Sequence, residues 1–216
     1  MINTTNDIKH TKLMLTNPER LSIVLSNDKK YVGGSQKWFK RYWQRKSGCG
    51  PIAASNLIWY MMQKRKNQIN DSEIKNVQSE YIDLIHEMFQ CFKPGIKGIN
   101  TSVLFVQGIL RFAQMKEYTI HPYILDVPRN KHDRPTVDTV FNFISSGIRK
   151  DSPVAFLNLS SGLLRELHNW HWMTILAIKP EMMIEISDYG KLKEVNISKW
   201  LDTSKLGGAF VYIVPG

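Results

Sequence analysis

The chain has 216 residues, 43% hydrophobic and 22% charged, and its 29 Lys+Arg against 19 Asp+Glu give a formal net charge of +10. Six Trp, eight Tyr and nine Phe can build a core, which excludes global disorder and the collagen-like, coiled-coil and low-complexity classes. Cys49 and Cys91 are too few for a disulfide framework or a thiolate zinc site, and no stretch reads as a signal peptide or a membrane span. The expectation is a reduced, cytoplasmic protein with no metal and no cofactor, folded as one domain over residues 1–216.

Residues 1–30 read as a polar lead-in arm, with a short apolar strand at 21–25 closed by Asn27-Asp28. Gly33-Gly34 breaks the chain. Trp38, Phe39, Tyr42 and Trp43 then interleave with Lys37, Lys40, Arg41, Arg45 and Lys46, which reads as a solvated loop with buried aromatics. The same pattern suits single-stranded nucleic acid, or the rim of a cleft for an acidic peptide. A buried helix follows Cys49-Gly50-Pro51, with Pro51 in the first turn and Lys64-Arg65-Lys66 at the end. A second helix, capped by Asp71 or Ser72, carries Ile74, Val77, Tyr81, Leu84, Ile85, Met88 and Phe89 at helical spacing until Pro94-Gly95. Helices are expected again at 102–116 and 137–148, with a strand at 118–125 and a polar loop at 129–135 between them. The last third reads as strands at 154–159, 172–178, 182–187 and 209–214. Helices early and strands late predict an α+β fold, with a mainly helical half over 31–150 packed on an antiparallel sheet over 151–216.

Cys49 is the first chemical candidate. It stands in Ser47-Gly48-Cys49-Gly50-Pro51 at a helix start, where free N–H groups and partial positive charge favour thiolate over thiol. The alternative is a small buried hydrophobe, which also describes Cys91 among Phe89 and Phe92. A thiolate nucleophile needs an imidazole, and His168 and His171 are the candidates; His171 opens a strand and is the better fixed. Asp188 ends the next strand, and a hairpin between the two sets His171 facing Asp188 or Tyr189. The other reading of Asp188 is a cap on the turn before Gly190. Gln44, five positions before Cys49, can add a side-chain amide to the Cys49 N–H as an oxyanion donor.

Gln44, the run Ser47 to Ala54, His171-Trp172-Met173-Thr174-Ile175 and Ser187-Asp188-Tyr189-Gly190 together resemble the papain-like cysteine peptidase superfamily. They are most similar to its bacteriocin-leader-processing, double-glycine branch and bacterial relatives. The likeness implies Cys49 as nucleophile, His171 as base, Asp188 as its orienter and Gln44 as oxyanion donor, in a cleft between a helical and a sheet half. The expected activity is that of a thiol hydrolase on a peptide or other amide or acyl substrate, acidic ones included. Two readings compete with it: an inactive binding module on the same scaffold, and a basic nucleic-acid-binding protein, the latter disfavoured.

Overall fold

The computed structural model describes residues 12–25, 28–66, 77–95 and 97–216. Its elements in chain order are β1 (Leu13–Met14), β2 (Ser22–Val24), β3 (Lys30–Val32), α1 (Tyr42–Ser47), α2 (Cys49–Lys66), α3 (Val77–Phe92), α4 (Ser102–Met115), β4 (Ile120–Val127), α5 (Val137–Arg149), β5 (Val154–Asn158), β6 (His171–Lys179), β7 (Met183–Asp188), β8 (Lys191–Asn196), α6 (Ile197–Thr203) and β9 (Gly208–Pro215). The fold is α+β, with the early helices packed on a late antiparallel sheet.

α2 is apolar nearly all round, and Ile52, Ala53, Ala54, Leu57, Ile58, Trp59, Tyr60 and Met61 are all buried, as a helix with no polar face must be. Pro51 sits in its first turn, where a missing N–H leaves no bond unmade. α3 buries Tyr81, Leu84, Ile85, Met88 and Phe92 on one stripe; Asp71, Ser72 and Ile74, expected to open it, lie outside the described residues. Thr101 caps α4 through Leu104 N at 3.2 Å, and Thr136 caps α5 through Thr139 N at 3.1 Å.

The sheet runs β4-β9-β5-β6-β7-β8, antiparallel throughout, with β1 added beside β6. β6 is its centre and is buried over eight of nine residues. β5 covers the first part of one β6 edge, from His171 to Ile175, and β1 covers the part at Ala177 and Ile178. α2 packs across β6, which sets the start of that helix beside the start of that strand.

Several expectations needed correction. The lead-in over residues 1–30 is no free arm in its described part: β1 joins the sheet, and Leu15, Leu21 and Ile23 are fully enclosed. The basic aromatic segment contains helix α1, and its aromatics are not all inside: Phe39 is buried while Tyr42 and Trp43 face solvent. β8 and α6 were not foreseen. β8 reads KLKEVN, an edge strand whose charges hide it from any search for apolar runs. α6 is a seven-residue helix capped by Asn196 through Lys199 N at 2.8 Å. Among the described residues no helix is long and apolar enough to cross a membrane.

Candidate active site

The start of α2, the start of β6 and the end of β7 converge, and they bring Cys49, His171 and Asp188 together. His171 Nε2 lies 2.7 Å from Asp188 Oδ1, and both side chains are buried. The second ring nitrogen is left for the sulfur: Cys49 and His171 line the same narrow cavity, and each shifts the titration of the other. The expected register is displaced. Thr174 pairs with Ser187 and Ile175 with Ile186, so the same register continued sets Met173, not His171, opposite Asp188. At this end of the strand pair the offset between His171 and the position opposite Asp188 is two residues, so both side chains share a face; beyond Ile175 a bulge changes the register by one. Asp188 therefore reaches His171 along the diagonal, a span long side chains bridge.

The site's electrostatics favour an ion pair. Burial pushes the Cys49 thiol up, but the His171 ring, by hydrogen bond and charge, and the N–H groups of Trp172 and Gly50 more than reverse this, and the net direction is down. Burial pulls His171 down, whereas Asp188 and the Cys49 sulfur raise it to about 9. Asp188 is pushed up by burial and brought below its ordinary value by His171 and Lys193. Cys91 lacks such a setting, and burial raises its thiol.

Two neighbours, Lys193 and Asn56, were not singled out from sequence, and a third, Tyr189, was expected only as the alternative to Asp188 opposite His171. Lys193, on β8, places Nζ 2.6 Å from Asp188 Oδ2, so the carboxylate accepts from two cations, one on each oxygen. Tyr189 stacks on the His171 ring at 5.0 Å and 14°. It forms a two-residue hairpin turn with Gly190 at φ +51° and +74°, values that belong to a type I′ turn. Asn56, an amide within the buried stretch of α2, accepts from Gly34 N at 3.0 Å and Tyr81 Oη at 2.6 Å and donates to Thr174 Oγ1 at 2.9 Å. It thereby locks the Gly33-Gly34 turn, α3 and β6 around one atom group below Cys49. An amide in the middle of an apolar helix was the available signal.

The glycines flanking Cys49 serve packing. A Cβ on Gly48 would stand 2.5 Å from the Phe39 ring and 2.6 Å from Gln44 O, and one on Gly50 would stand 2.9 Å from Ile99 Cβ. Ile99 is itself tied down by Trp172 Nε1, which donates to its carbonyl at 2.6 Å.

Two cavities meet at Cys49. The inner, narrow one includes Gln36, Cys49, His171, Tyr189 and Asn56 in its lining. The outer one is an open groove of about 390 Å³ lined by Lys46, Ser47, Cys49, Lys97, Gly98 and Trp170. Gln44 sits half-buried on α1 and lines neither. Gln36 does line the inner one; its Nε2 donates to Arg45 O at 2.9 Å and more weakly to Tyr189 Oη at 3.4 Å. His168 is exposed at the mouth, its ring centroid 5.9 Å from that of His171. Among the described residues no group of acidic, His and Cys side chains is arranged to hold a metal ion.

No protein-family model matches the chain. No curated protein matches it either. Among solved structures, UfSP from C. elegans, whose fold is papain-like, is similar with a TM-score of 0.51 and 10% sequence identity. The match covers 95% of this chain and 34% of the other, so this chain spans about a third of its neighbour's length. At that identity the likeness is one of fold.

Proposed function

We propose that the chain is a thiol hydrolase of the cysteine peptidase type, working through an acyl-enzyme on Cys49. The supporting observation is the setting of His171: Nε2 on Asp188 at 2.7 Å, and the Cys49 sulfur in the same narrow cavity as the ring. The thiolate attacks the carbonyl carbon of a peptide or other amide, and the electron pair of the C=O bond moves onto oxygen. The N–H of Cys49 at the helix start is one donor to that oxyanion. The second is a side-chain amide, a role that Gln36, beside Cys49 in the inner cavity, suits better than Gln44. His171 then protonates the leaving amine as the C–N bond breaks. The imidazole, now neutral, takes a proton from water, whose oxygen attacks the thioester and expels the thiolate. Asp188 stays ionised and holds the ring's orientation.

The test is Cys49→Ala. Turnover of any accepted peptide falls to background while circular dichroism and the thermal midpoint stay near wild type. Retained turnover in the variant would exclude Cys49 as nucleophile.

A further inference from the structure

The open groove on the outer side of Cys49 has a one-sided chemistry. Its two charged lining residues are Lys46 and Lys97, and no carboxylate lines it. Both lysines are exposed, and among the described residues neither forms an ion pair; the Lys46 ammonium lies 5.5 Å from the Tyr42 ring. A third cation, Lys37, stands 5.4 Å from the Tyr189 ring, beside the same imidazole. The wall carrying Lys97 and Gly98 is not a loose flap, because Trp172 holds the adjoining Ile99 carbonyl and Gly50 packs on Ile99. The opposite rim is Trp170, 51% exposed, in the left-handed region at φ +55° and adjacent in sequence to His171.

We propose that this groove selects an acidic side chain on the substrate, with the carboxylate between Lys46 and Lys97 and the carbon stem against the Trp170 indole. The volume suits one or two side chains next to the scissile carbonyl. This deepens the thiol-hydrolase reading and rests on it. A nucleic acid also carries anionic charge, but it offers no acyl carbon to the sulfur that forms the groove's floor.

The test uses two alkylating reagents that differ in charge. Iodoacetate brings a carboxylate to the sulfur and iodoacetamide brings a neutral amide, and both form the same S–C bond with loss of iodide. The ratio of their rate constants, iodoacetate over iodoacetamide, is measured on the full chain at pH 6 and low salt, for wild type and for Lys46→Gln/Lys97→Gln. His171 contributes to the ratio in both proteins, so the difference isolates the lysines. The ratio is expected to fall about tenfold in the double variant, and the difference to shrink with added salt. An unchanged ratio overturns the proposal while leaving the thiolate reading intact. If wild type reacts no faster than a model thiol with either reagent, the thiolate reading fails and the proposal falls with it. A second arm compares peptide amides that differ only by Glu or Gln on the acyl side of the cleaved bond. Wild type is expected to prefer Glu about tenfold in kcat/KM, and Lys46→Glu/Lys97→Glu to prefer a Lys peptide. An oligothymidylate that protects Cys49 from iodoacetamide better than a Glu-rich peptide of equal charge would replace the proposal with a nucleic-acid site.

Discussion

Asp188→Asn tests why this site carries a carboxylate where an amide would orient an imidazole equally well. Each carboxylate oxygen of Asp188 accepts from a cation: Oδ1 at 2.7 Å from His171 Nε2 and Oδ2 at 2.6 Å from Lys193 Nζ. An Asn has one oxygen and one NH₂. If the oxygen stays on His171, the NH₂ meets the Lys193 ammonium, donor against donor. If the amide flips, the NH₂ binds Nε2 and forces the proton onto the nitrogen that faces the sulfur. One charge-assisted hydrogen bond is lost in either case, and such bonds contribute roughly 1.5–3 kcal/mol. The remaining ammonium is 30% exposed, so water relieves part of its desolvation. The single variant should lose about 3 kcal/mol of stability in urea denaturation. Lys193→Met/Asp188→Asn removes the competing donor and lets the amide oxygen face His171. It should recover about 1–2 kcal/mol relative to Asp188→Asn, a clear coupling. Iodoacetamide alkylation at pH 6 should fall in Asp188→Asn and recover in part in the double variant. Additive effects of the two substitutions would refute the two-cation account of Asp188.

The remaining predictions concern the hold on the site and its titration. Asn56→Ala orphans Gly34 N, Tyr81 Oη and Thr174 Oγ1 in a buried place, and should cost about 2–4 kcal/mol in urea denaturation with slower turnover. On a cleaved peptide, kcat/KM should be bell-shaped in pH. The acid limb is loss of the thiolate, whose pKa is lowered, and the alkaline limb is loss of the His171 proton near pH 9. The proton donor is thus fully present below the ordinary 6.5 of histidine and disappears as pH rises through about 9; an alkaline limb near 6.5 would contradict this. Gln36→Ala should lower kcat by roughly 10²-fold while Gln44→Ala lowers it little, as measured by steady-state kinetics. The reverse order would return the oxyanion role to Gln44.

The helices and the central strands were legible because their residues are apolar at the right periods. α2 and β6 bury nearly every side chain, and a run of buried residues announces itself. Cys49 stood out by its glycines and helix start, and His171 and Asp188 by their places at strand ends. The glycines turned out to admit Phe39 and Ile99 rather than a ligand. Lys193 was invisible because β8 is a charged edge strand, so neither the strand nor its register could be read. Gln36 and the Lys97 wall belong to segments whose path is set by tertiary contacts, the bond from Trp172 to Ile99 O above all, and no local pattern encodes it. The hairpin register ran one to two residues off at the site end and shifted again at a bulge between Ile175 and Ala177, which no alternation in the sequence announces.

Ultraviolet titration of the sulfur anion, taken as wild type minus Cys49→Ala, reports the ionisation on which all the chemistry depends. A midpoint on the acid side of the 9.0 of a free thiol is the outcome that the imidazole and backbone donors require. A midpoint at or above that value would mean that burial prevails and that Cys49 is an inert core side chain.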